Sequence, residues 1–325
     1  MRAPSIHPDA VNLDYFTAYN DVSVHDLMLK DGIRTRAYLN ALENSELEGK
    51  IVLDVGCGTG ILSMFAARAG ARKVYAVEAS GFVGMTQKLI DDNNFTNKIE
   101  LINQMVEEID LPEKVDVIVS EWMGFFLLHE SMLESVLNAR DRWLKDDGVM
   151  LPTTAKIYSA LCDMTPTLTK EYGIYQDCYG FDFTAMVPSL QATVPNPAIS
   201  DVLESQLLTQ AQVVKEFDMR TMTSADLESF KSSAIYVPKA DGVMHGVCLW
   251  FTCDFAGPPG NEDDITVLST APGQTLAKST HWKQTVVMLG GSFAVEKDDQ
   301  IPVTLNLSKS KTQTRFYTIT VEFGE

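Results

Sequence analysis

Two glutamates, Glu121 and Glu130, bracket a short and strongly apolar stretch of the chain. Of the eight residues between them, six are Trp, Met, Phe or Leu, and none is charged at neutral pH unless His129 is protonated. An ionised carboxylate is costly to remove from water unless a cation pairs with it, and the planar guanidinium with its five donors is the best match for two forked acceptors. The stretch therefore predicts a binding site for the side chain of a substrate arginine. An internal salt bridge to Arg34 or Arg36 of the same chain explains these carboxylates equally well.

A glycine-rich segment at residues 52–60 has the pattern of a nucleotide-binding turn, in which an apolar strand opens into Gly56, Gly58 and Gly60 before a helical stretch. Position 61 is Ile where a dinucleotide fingerprint has a further glycine, which weakens a pyrophosphate interpretation. Glu78 ends the next apolar strand, 18 residues after Gly60, where dinucleotide folds place a carboxylate that binds ribose hydroxyls. The pair favours an adenosyl ligand without phosphates. The alternative is a simple turn from strand to helix.

The elements that must position these residues alternate between strand and helix up to about residue 151. Such alternation predicts an α/β fold with a doubly wound parallel sheet. A helical pattern with a break at Gly32 precedes it, at residues 13–42. The predicted strands are 51–55, 73–78, 99–102, 115–121 and 148–151, with helices from about Ile61, Ser80 and Ser131.

After Pro152 the pattern changes to short alternating runs, which predict an antiparallel β-barrel or sandwich. These runs are 157–162, 212–217, 247–255, 265–270, 285–289, 303–307 and 316–323, and a glycine, proline and acid cluster at 257–264 predicts a turn. The expected division is a helical segment at 1–48, a parallel-sheet domain at 49–151 and a barrel domain at 152–325.

Composition excludes several classes of protein. A net charge of −18 argues against direct binding of nucleic acid, because phosphate contacts need a basic surface, and it suits cationic peptides better. No apolar run approaches the ~20 residues of a membrane helix, and the first 20 residues lack the blocks of a secretion signal. The five cysteines have no metal-site or disulfide spacing, so we expect no metal and an intracellular protein with reduced thiols.

Several separated motifs, in the family's order, resemble the protein arginine N-methyltransferases. The resemblance runs from about residue 14 to about residue 290. It rests on Tyr15-Phe16 with Tyr19, His25 with Met28-Leu29 and Arg34, the glycine loop at 52–60, Val106-Glu107-Glu108, the double-glutamate segment at 121–130, and Thr280-His281-Trp282. It implies a class I methyltransferase sheet followed by the barrel, a dimerisation arm at about 165–195 that makes a homodimer, and S-adenosyl-L-methionine as cofactor.

The resemblance also assigns roles to the cofactor-binding residues. Arg34 would bind the methionine carboxylate, Asp54, Gly56 and Gly58 would line the loop, Glu78 would bind the ribose, Glu107 would bind the adenine amino group, and His25 and Met28 would close over the cofactor. Without the resemblance, the sequence favours an internal salt bridge for Arg34, a buried position for His25 and a solvated acidic face for Glu107.

For the reaction, the resemblance makes Glu121 and Glu130 the guanidinium clamp. Substrate would contact Tyr15, Tyr19, Met132 and Trp282. A strong general base is not required, because the proton can leave with or after the methyl transfer. His281 would pair with Asp31, either as a proton exit or as a tie between the barrel and the helical segment; both roles remain open and can coexist.

The product and the substrates are expectations of the same kind. Met28 occupies the position at which the family members that make symmetric dimethylarginine carry Phe. By this resemblance, the implied products are monomethylarginine and asymmetric dimethylarginine, the type I products. Histone tails are among the implied substrates, and the expected location is the nucleus, the cytoplasm or both, with the nucleus implied by resemblance alone. Position 125 is Phe where the family commonly has Tyr. The alternatives are a catalytically weak paralogue that activates a partner, and a small-molecule methyltransferase or dehydrogenase of similar fold.

Overall fold

The structure is a computed structural model that describes residues 15–257, 264–275 and 279–324. The helices are α1 Val22–Lys30, α2 Gly32–Glu43, α3 Ile61–Arg68, α4 Val83–Asp92, α5 Leu133–Trp143, α6 Thr165–Tyr172 and α7 Val187–Gln191. The strands are β1 Ile51–Val55, β2 Lys73–Val77, β3 Ile99–Ile102, β4 Val115–Val119, β5 Leu144–Leu151, β6 Thr154–Cys162, β7 Ala198–Ser200, β8 Gln212–Asp218, β9 Ser229–Tyr236, β10 Gly242–Phe255, β11 Thr266–Ser269, β12 Gln284–Val295, β13 Ile301–Lys309 and β14 Tyr317–Phe323.

The helical segment has its break at Asp31, one residue before the predicted Gly32. Asp31 caps α2, because its carboxylate accepts hydrogen bonds from the backbone N–H groups of Ile33 at 3.1 Å and Arg34 at 3.0 Å. Gly32 is thus the first residue of α2 rather than a breaker. The capping bonds fix where α2 begins and so where Arg34 lies.

The parallel sheet has the order β3–β2–β1–β4–β5, and every neighbouring pair is parallel. Strand β1 is buried along its whole length, as its apolar sequence, interrupted by Asp54 alone, predicts for a strand covered on both faces. In this order the carboxyl ends of β1, β2 and β4 meet at one edge of the sheet, and ligands of open α/β sheets bind at such an edge.

The second part of the chain forms antiparallel sheets. One has the order β7–β12–β10–β6–β8, with β11 paired to β10, and the other has the order β14–β13–β9. The predicted fold class, a doubly wound parallel sheet followed by an antiparallel β region, is confirmed. Strands β7 and β9 are not predicted by the sequence pattern, and the turn predicted at 257–264 lies for the most part outside the described residues.

One large hydrophobic core cluster runs through both sheet regions. It includes Leu53 and Val117 of the parallel sheet together with Phe251 and Leu305 of the antiparallel sheets. The two regions therefore bury their apolar faces together, and the double-glutamate segment lies between them. Within the described ranges, no helix is long and apolar enough to cross a membrane.

Candidate active site

The main cavity lies at the carboxyl ends of β1, β2 and β4 and is covered by the helical segment. Most of the residues singled out in the sequence line it. These are Tyr15, Tyr19, His25, Met28, Arg34, Gly56, Gly58, Glu78, Glu107, Glu121, Glu130 and Met132. Asp31, Asp54, His281 and Trp282 lie outside the lining. Residues as far apart in the chain as Tyr15 and Met132, which are 117 positions apart, thereby line one cleft.

The glycine loop follows β1 with its backbone in a conformation that side chains disfavour. Gly56 has φ 73° and Gly58 has φ 51°, both in the left-handed region. A Cβ at Gly56 would meet the methyl carbon of Met132. The backbone N–H of Gly58 donates to Oε2 of Glu78 at 2.8 Å, and the N–H of Ser80 donates to Oε1 at 2.7 Å. The loop is therefore a cradle of bare backbone with a carboxylate at its edge.

Asp54 supports this loop from beneath rather than from the cavity. Its carboxylate is fully buried, and Oδ2 accepts a hydrogen bond from the Ser63 hydroxyl at 2.6 Å. Burial raises the pKa of Asp54 to about 7, although the hydrogen bonds from Ser63 act in the opposite direction. Asp54 thus adjoins the loop because it lies in β1, the strand that leads into the loop. Its side chain accepts a hydrogen bond from Ser63 of α3 and so holds that helix.

His25 covers the other side of the loop. Its ring stacks on Phe82 with 3.7 Å between centroids, and Nε2 lies 2.9 Å from the carbonyl oxygen of Tyr19. The other nitrogen, Nδ1, is buried, faces the position of Gly58, and has no hydrogen-bond partner among the described residues. A buried polar atom without a partner is costly, so its place at the cavity wall fits a polar ligand there. Met28 lines the same wall.

Glu121 is already paired within the chain. Arg34 approaches its Oε2 with Nε at 2.9 Å and with Nη2 at 2.8 Å, and the two side chains are 7% and 8% exposed. The backbone N–H of Met123 donates to Oε1 at 3.2 Å. The internal salt bridge that the sequence left open is present at Glu121, with Arg34 and not with the exposed Arg36. The predicted contact of Arg34 with a methionine carboxylate stays a prediction; Nη1, the nitrogen that does not bind Glu121, donates to the carbonyl oxygen of Met28 at 3.4 Å.

Glu130 differs from Glu121 in its partners. The hydroxyl of Tyr19 donates to Oε2 at 2.7 Å. No described Lys, Arg or His forms a salt bridge with this carboxylate, although it lines the same cavity. Burial raises the pKa of Glu130, and the neighbouring charge of Glu121 acts in the same direction, while Tyr19 and Arg315 lower it. Of the two glutamates, Glu130 is thus the one without an ion-pair partner among the described residues.

Asp31 and His281 form a pair behind the cavity. Nδ1 of His281 lies 2.7 Å from Oδ2 of Asp31, which also accepts the backbone N–H of His281 at 2.9 Å. Burial would raise the pKa of Asp31, but the hydrogen bonds from His281 and from the backbone of Arg34 outweigh it, so the pKa is below its usual value. The pair joins the antiparallel region to the helical segment.

The remaining predicted residues have distinct positions. Trp282 is buried and donates Nε1–H to the carbonyl oxygen of Met123 at 2.9 Å, so it supports the double-glutamate segment from behind. Glu107 is exposed at the cavity rim and accepts a hydrogen bond from Ser135 at 2.6 Å. Tyr15 lies in the wall, with its ring 4.9 Å from that of Tyr19.

Arg315 also lines the cavity, and no sequence motif predicts it as a site residue. Its guanidinium lies over the ring of Tyr15, 3.8 Å from the centroid, and Nη1 donates to the carbonyl oxygen of Glu130 at 2.7 Å. Nothing in the local sequence around Arg315 indicates a site, since its partners are far away in the chain. Within the described residues, no group of three or more His, Cys, Asp or Glu could hold a metal ion.

Comparison with known proteins gives a consistent assignment. Residues 153–324 match the arginine methyltransferase oligomerization subdomain, and residues 34–150 match the ribosomal protein L11 methyltransferase (PrmA) model. Protein arginine N-methyltransferase 6 of Danio rerio is 39% identical over 320 residues, which cover 95% of this chain and 88% of the relative. The chain belongs to the protein arginine N-methyltransferase family.

Other members of the arginine methyltransferase family agree in sequence and structure. Probable protein arginine N-methyltransferase 6.2 of Oryza sativa subsp. indica is 35% identical over 96% of this chain and 85% of its own length. Protein arginine methyltransferase 10 of Arabidopsis thaliana superposes with a TM-score of 0.83 at 34% identity, covering 95% of this chain and 94% of its own. The Trypanosoma brucei enzyme–prozyme heterotetrameric complex with AdoHcy gives 0.82 at 34% identity, covering 94% of both chains.

Proposed function

We propose that this member of the arginine methyltransferase family transfers a methyl group from S-adenosyl-L-methionine to arginine side chains of proteins, as a type I enzyme that forms monomethyl and asymmetric dimethylarginine. The main supporting observation is one cleft that combines an exposed glycine-loop backbone with a half-buried carboxylate, Glu130, that lacks an ion-pair partner among the described residues. A carboxylate that is partly removed from water is stabilised by a cation, and a substrate guanidinium supplies one. The alternative of a catalytically weak paralogue is not favoured.

The residues that would hold the cofactor fit its chemistry. Gly56 and Gly58 let the backbone come close to an adenosyl group, Glu78 lies beside them for the ribose, and the unpartnered Nδ1 of His25 faces the same space. Glu107, at the rim, would accept the adenine amino group. When bound, S-adenosyl-L-methionine supplies the electrophilic methyl group.

Chain residues would contribute position and charge. Glu130 would hold the substrate guanidinium and draw its positive charge toward the bound nitrogen, which leaves another nitrogen more nucleophilic. Glu121 would be the second carboxylate that binds the guanidinium. Because Glu121 is already paired with Arg34, we assign it a smaller part in substrate binding than Glu130. Because the free guanidinium has a pKa above ~12 and loses its proton more easily once methyl transfer is under way, no strong base is needed. Asp31 and His281 would tie the two regions together and provide a proton exit.

The product type depends on Met28. Its unbranched side chain lines the cavity without the rigid ring of a Phe, so we expect room for a second methyl on the same nitrogen. Substrate contacts at Tyr15, Tyr19 and Met132 fit this proposal, because all three line the cavity around Glu130. Trp282 would not contact the substrate directly and would support the double-glutamate segment through its hydrogen bond to Met123. Histone tails are candidate substrates and the nucleus a candidate location, both by family resemblance alone.

We also propose a homodimer and the three-part division at 1–48, 49–151 and 152–325. Residues 165–191 form α6, α7 and short 3₁₀ turns with no buried residue in any of these elements. Tyr179 is 95% exposed and Phe181 is 69% exposed, which suits a surface covered by a second copy. Deleting residues 172–183 should produce a monomer in sedimentation and lower activity. Unchanged mass and activity would contradict the dimer.

The direct test is incubation of the purified protein with methyl-labelled S-adenosyl-L-methionine and arginine-rich peptides. A matched set of peptides with Lys at every Arg serves as the control. Label should enter only the arginine peptides, and hydrolysis should release asymmetric dimethylarginine. Symmetric dimethylarginine as the main dimethyl product would contradict the type I assignment alone, whereas label in neither peptide set would contradict the enzyme itself.

A further inference from the structure

Glu130 is held in an unusual backbone conformation. Its φ is 77°, and the φ of the next residue, Ser131, is 51°, both in the left-handed region although neither is glycine. Such residues persist only where the surrounding structure holds them, and they cluster at functional sites. The segment holds Ser131 itself, since the N–H of Ser131 donates to the carbonyl oxygen of Leu128 at 3.2 Å, but the backbone groups of Glu130 are bound from elsewhere in the fold.

That restraint comes from the connection between β13 and β14. The backbone N–H of Glu130 donates to the carbonyl oxygen of Arg315 at 2.8 Å, and Nη1 of Arg315 donates to the carbonyl oxygen of Glu130 at 2.7 Å. Both backbone polar groups of Glu130 are therefore bound by one residue, 185 positions away in the chain. The side chain of Arg315 makes one of these two hydrogen bonds, and its backbone carbonyl makes the other.

The same guanidinium reaches the helical segment. It lies 3.8 Å from the ring centroid of Tyr15 and 5.6 Å from that of Phe16, within the range of cation–π attraction. Tyr15 packs against Tyr19, whose hydroxyl donates to Oε2 of Glu130 at 2.7 Å. Arg315 therefore connects the antiparallel region, the backbone of Glu130 and the tyrosines that hold the Glu130 carboxylate.

We propose that Arg315 is a positioning residue for methyl transfer, which holds Glu130 in the orientation that binds the substrate guanidinium and keeps the helical segment closed over the site. This inference rests on the proposed function. The charge of Arg315 adds to the effect, because it lowers the pKa of Glu130, which burial raises. The other titratable groups that face Glu130 are Glu121, which raises this pKa, and Tyr15, Tyr19 and His281.

The test compares Arg315→Ala, Arg315→Lys and a matched control, Arg220→Ala. Arg220 also links the two regions through a carbonyl, since Nη2 donates to the oxygen of Asp146 at 2.6 Å, but it lies on the exposed surface away from the cavity. Each variant is assayed for turnover against pH with an arginine-rich peptide, for S-adenosyl-L-methionine affinity and for melting temperature. The wild type is assayed in parallel.

Arg315→Ala should lower turnover roughly ten- to a hundredfold, the range expected when a reacting group is displaced by about 1 Å. The acidic limb of the pH–rate profile should move to higher pH, because Glu130 loses a neighbouring cation and binds its proton more readily. Cofactor affinity should stay within threefold of the Arg220→Ala value. Arg315→Lys should return the limb toward the wild-type position while recovering only part of the turnover, since an ammonium keeps the charge but lacks the planar fork.

Three results would overturn the positioning role. These are turnover of Arg315→Ala within twofold of Arg220→Ala, lost turnover with an unmoved acidic limb, and a loss of cofactor affinity and melting temperature in proportion to the loss of turnover. Each of them, in an active wild type, leaves the proposed function standing. A wild type that methylates no arginine peptide would overturn the function and, with it, this role.

Discussion

The two ends of the double-glutamate segment look alike in sequence and differ in the fold. Glu121 is held by the guanidinium of Arg34 in an ion pair with both side chains less than a tenth exposed. Glu130 has a tyrosine hydroxyl and an open cavity instead, with no salt-bridge partner in the described chain. The same residue type in the same segment thus has two electrostatic settings, one satisfied internally and one prepared for a ligand.

This difference separates stability from binding. Removing one partner of a buried ion pair strongly destabilises the fold, because the other charge is left buried and unpaired. A carboxylate with a raised pKa is the opposite case, since its charged form is disfavoured until a cation arrives. We therefore expect substitutions at the Glu121 end to damage the fold and substitutions at the Glu130 end to damage the reaction.

The largest stability effect should come from Glu121→Gln. This change leaves the guanidinium of Arg34 buried without its anion, and breaking such a pair costs roughly 3 to 5 kcal/mol. Chemical denaturation measures the loss, and cofactor affinity should fall with it because Arg34 lines the cavity. The matched control is Glu113→Gln, whose partner Arg72 is 59% exposed, and exposed pairs contribute only about 0 to 1 kcal/mol. Equal losses in the two variants would contradict the structural role of Glu121.

A smaller effect is expected for Asp31→Asn. Hydrogen bonds to a charged acceptor contribute about 1.5 to 3 kcal/mol, and Asp31 accepts them from His281 and from the cap of α2. Because the pKa of Asp31 in the fold lies below the usual 3.8, this stability is present above about pH 4 and is lost as pH falls through the lower, folded value. Melting temperatures of variant and wild type should therefore differ at pH 7 and converge in acid. A difference that persists at low pH would show that charge is not the cause.

The smallest effect should come from Phe125→Tyr. Phe125 is half-buried, with its ring 5.7 Å from that of His129, and the change adds one hydroxyl near the Glu130 end of the segment. A single added hydroxyl changes turnover by about tenfold or less, because a neutral hydrogen bond is worth about 1 kcal/mol. Peptide specificity constants for the two proteins measure the effect. A change in melting temperature without a change in turnover would place this ring in the core instead of beside the substrate.

The elements with clear apolar patterns were predictable from the sequence. Strand β1 is five apolar or buried residues in a row, and the glycine loop follows it where the parallel-strand pattern ends. Strand β9, with the sequence of residues 229–236, was missed because only Tyr236 is buried, so its serines and lysine show no apolar alternation. The break at Asp31 was misplaced by one residue because a capping aspartate and a following glycine both signal a helix boundary.

The site was predictable in its parts and not in its pairing. The sequence indicated two carboxylates that need cations and left an Arg34 salt bridge open, but only the fold shows that Glu121 has that partner and Glu130 does not. Arg315 could not be found, because its contacts with Glu130 span 185 residues and depend on how the β13–β14 connection meets the helical segment. Spacing predicts neighbours within an element and carries no information on such distant contacts.

The most direct test of the account is the turnover of Glu130→Gln. Gln keeps the shape and an acceptor for Tyr19 but removes the charge, so methyl transfer to an arginine peptide should fall at least a hundredfold, from about 3 kcal/mol for a charge-assisted contact. The fold should not weaken at pH 7, because a carboxylate whose pKa is raised by folding contributes stability only at lower pH. Cofactor affinity should be nearly unchanged. Turnover close to that of the wild type would contradict the assignment of Glu130 as the residue that binds the substrate guanidinium.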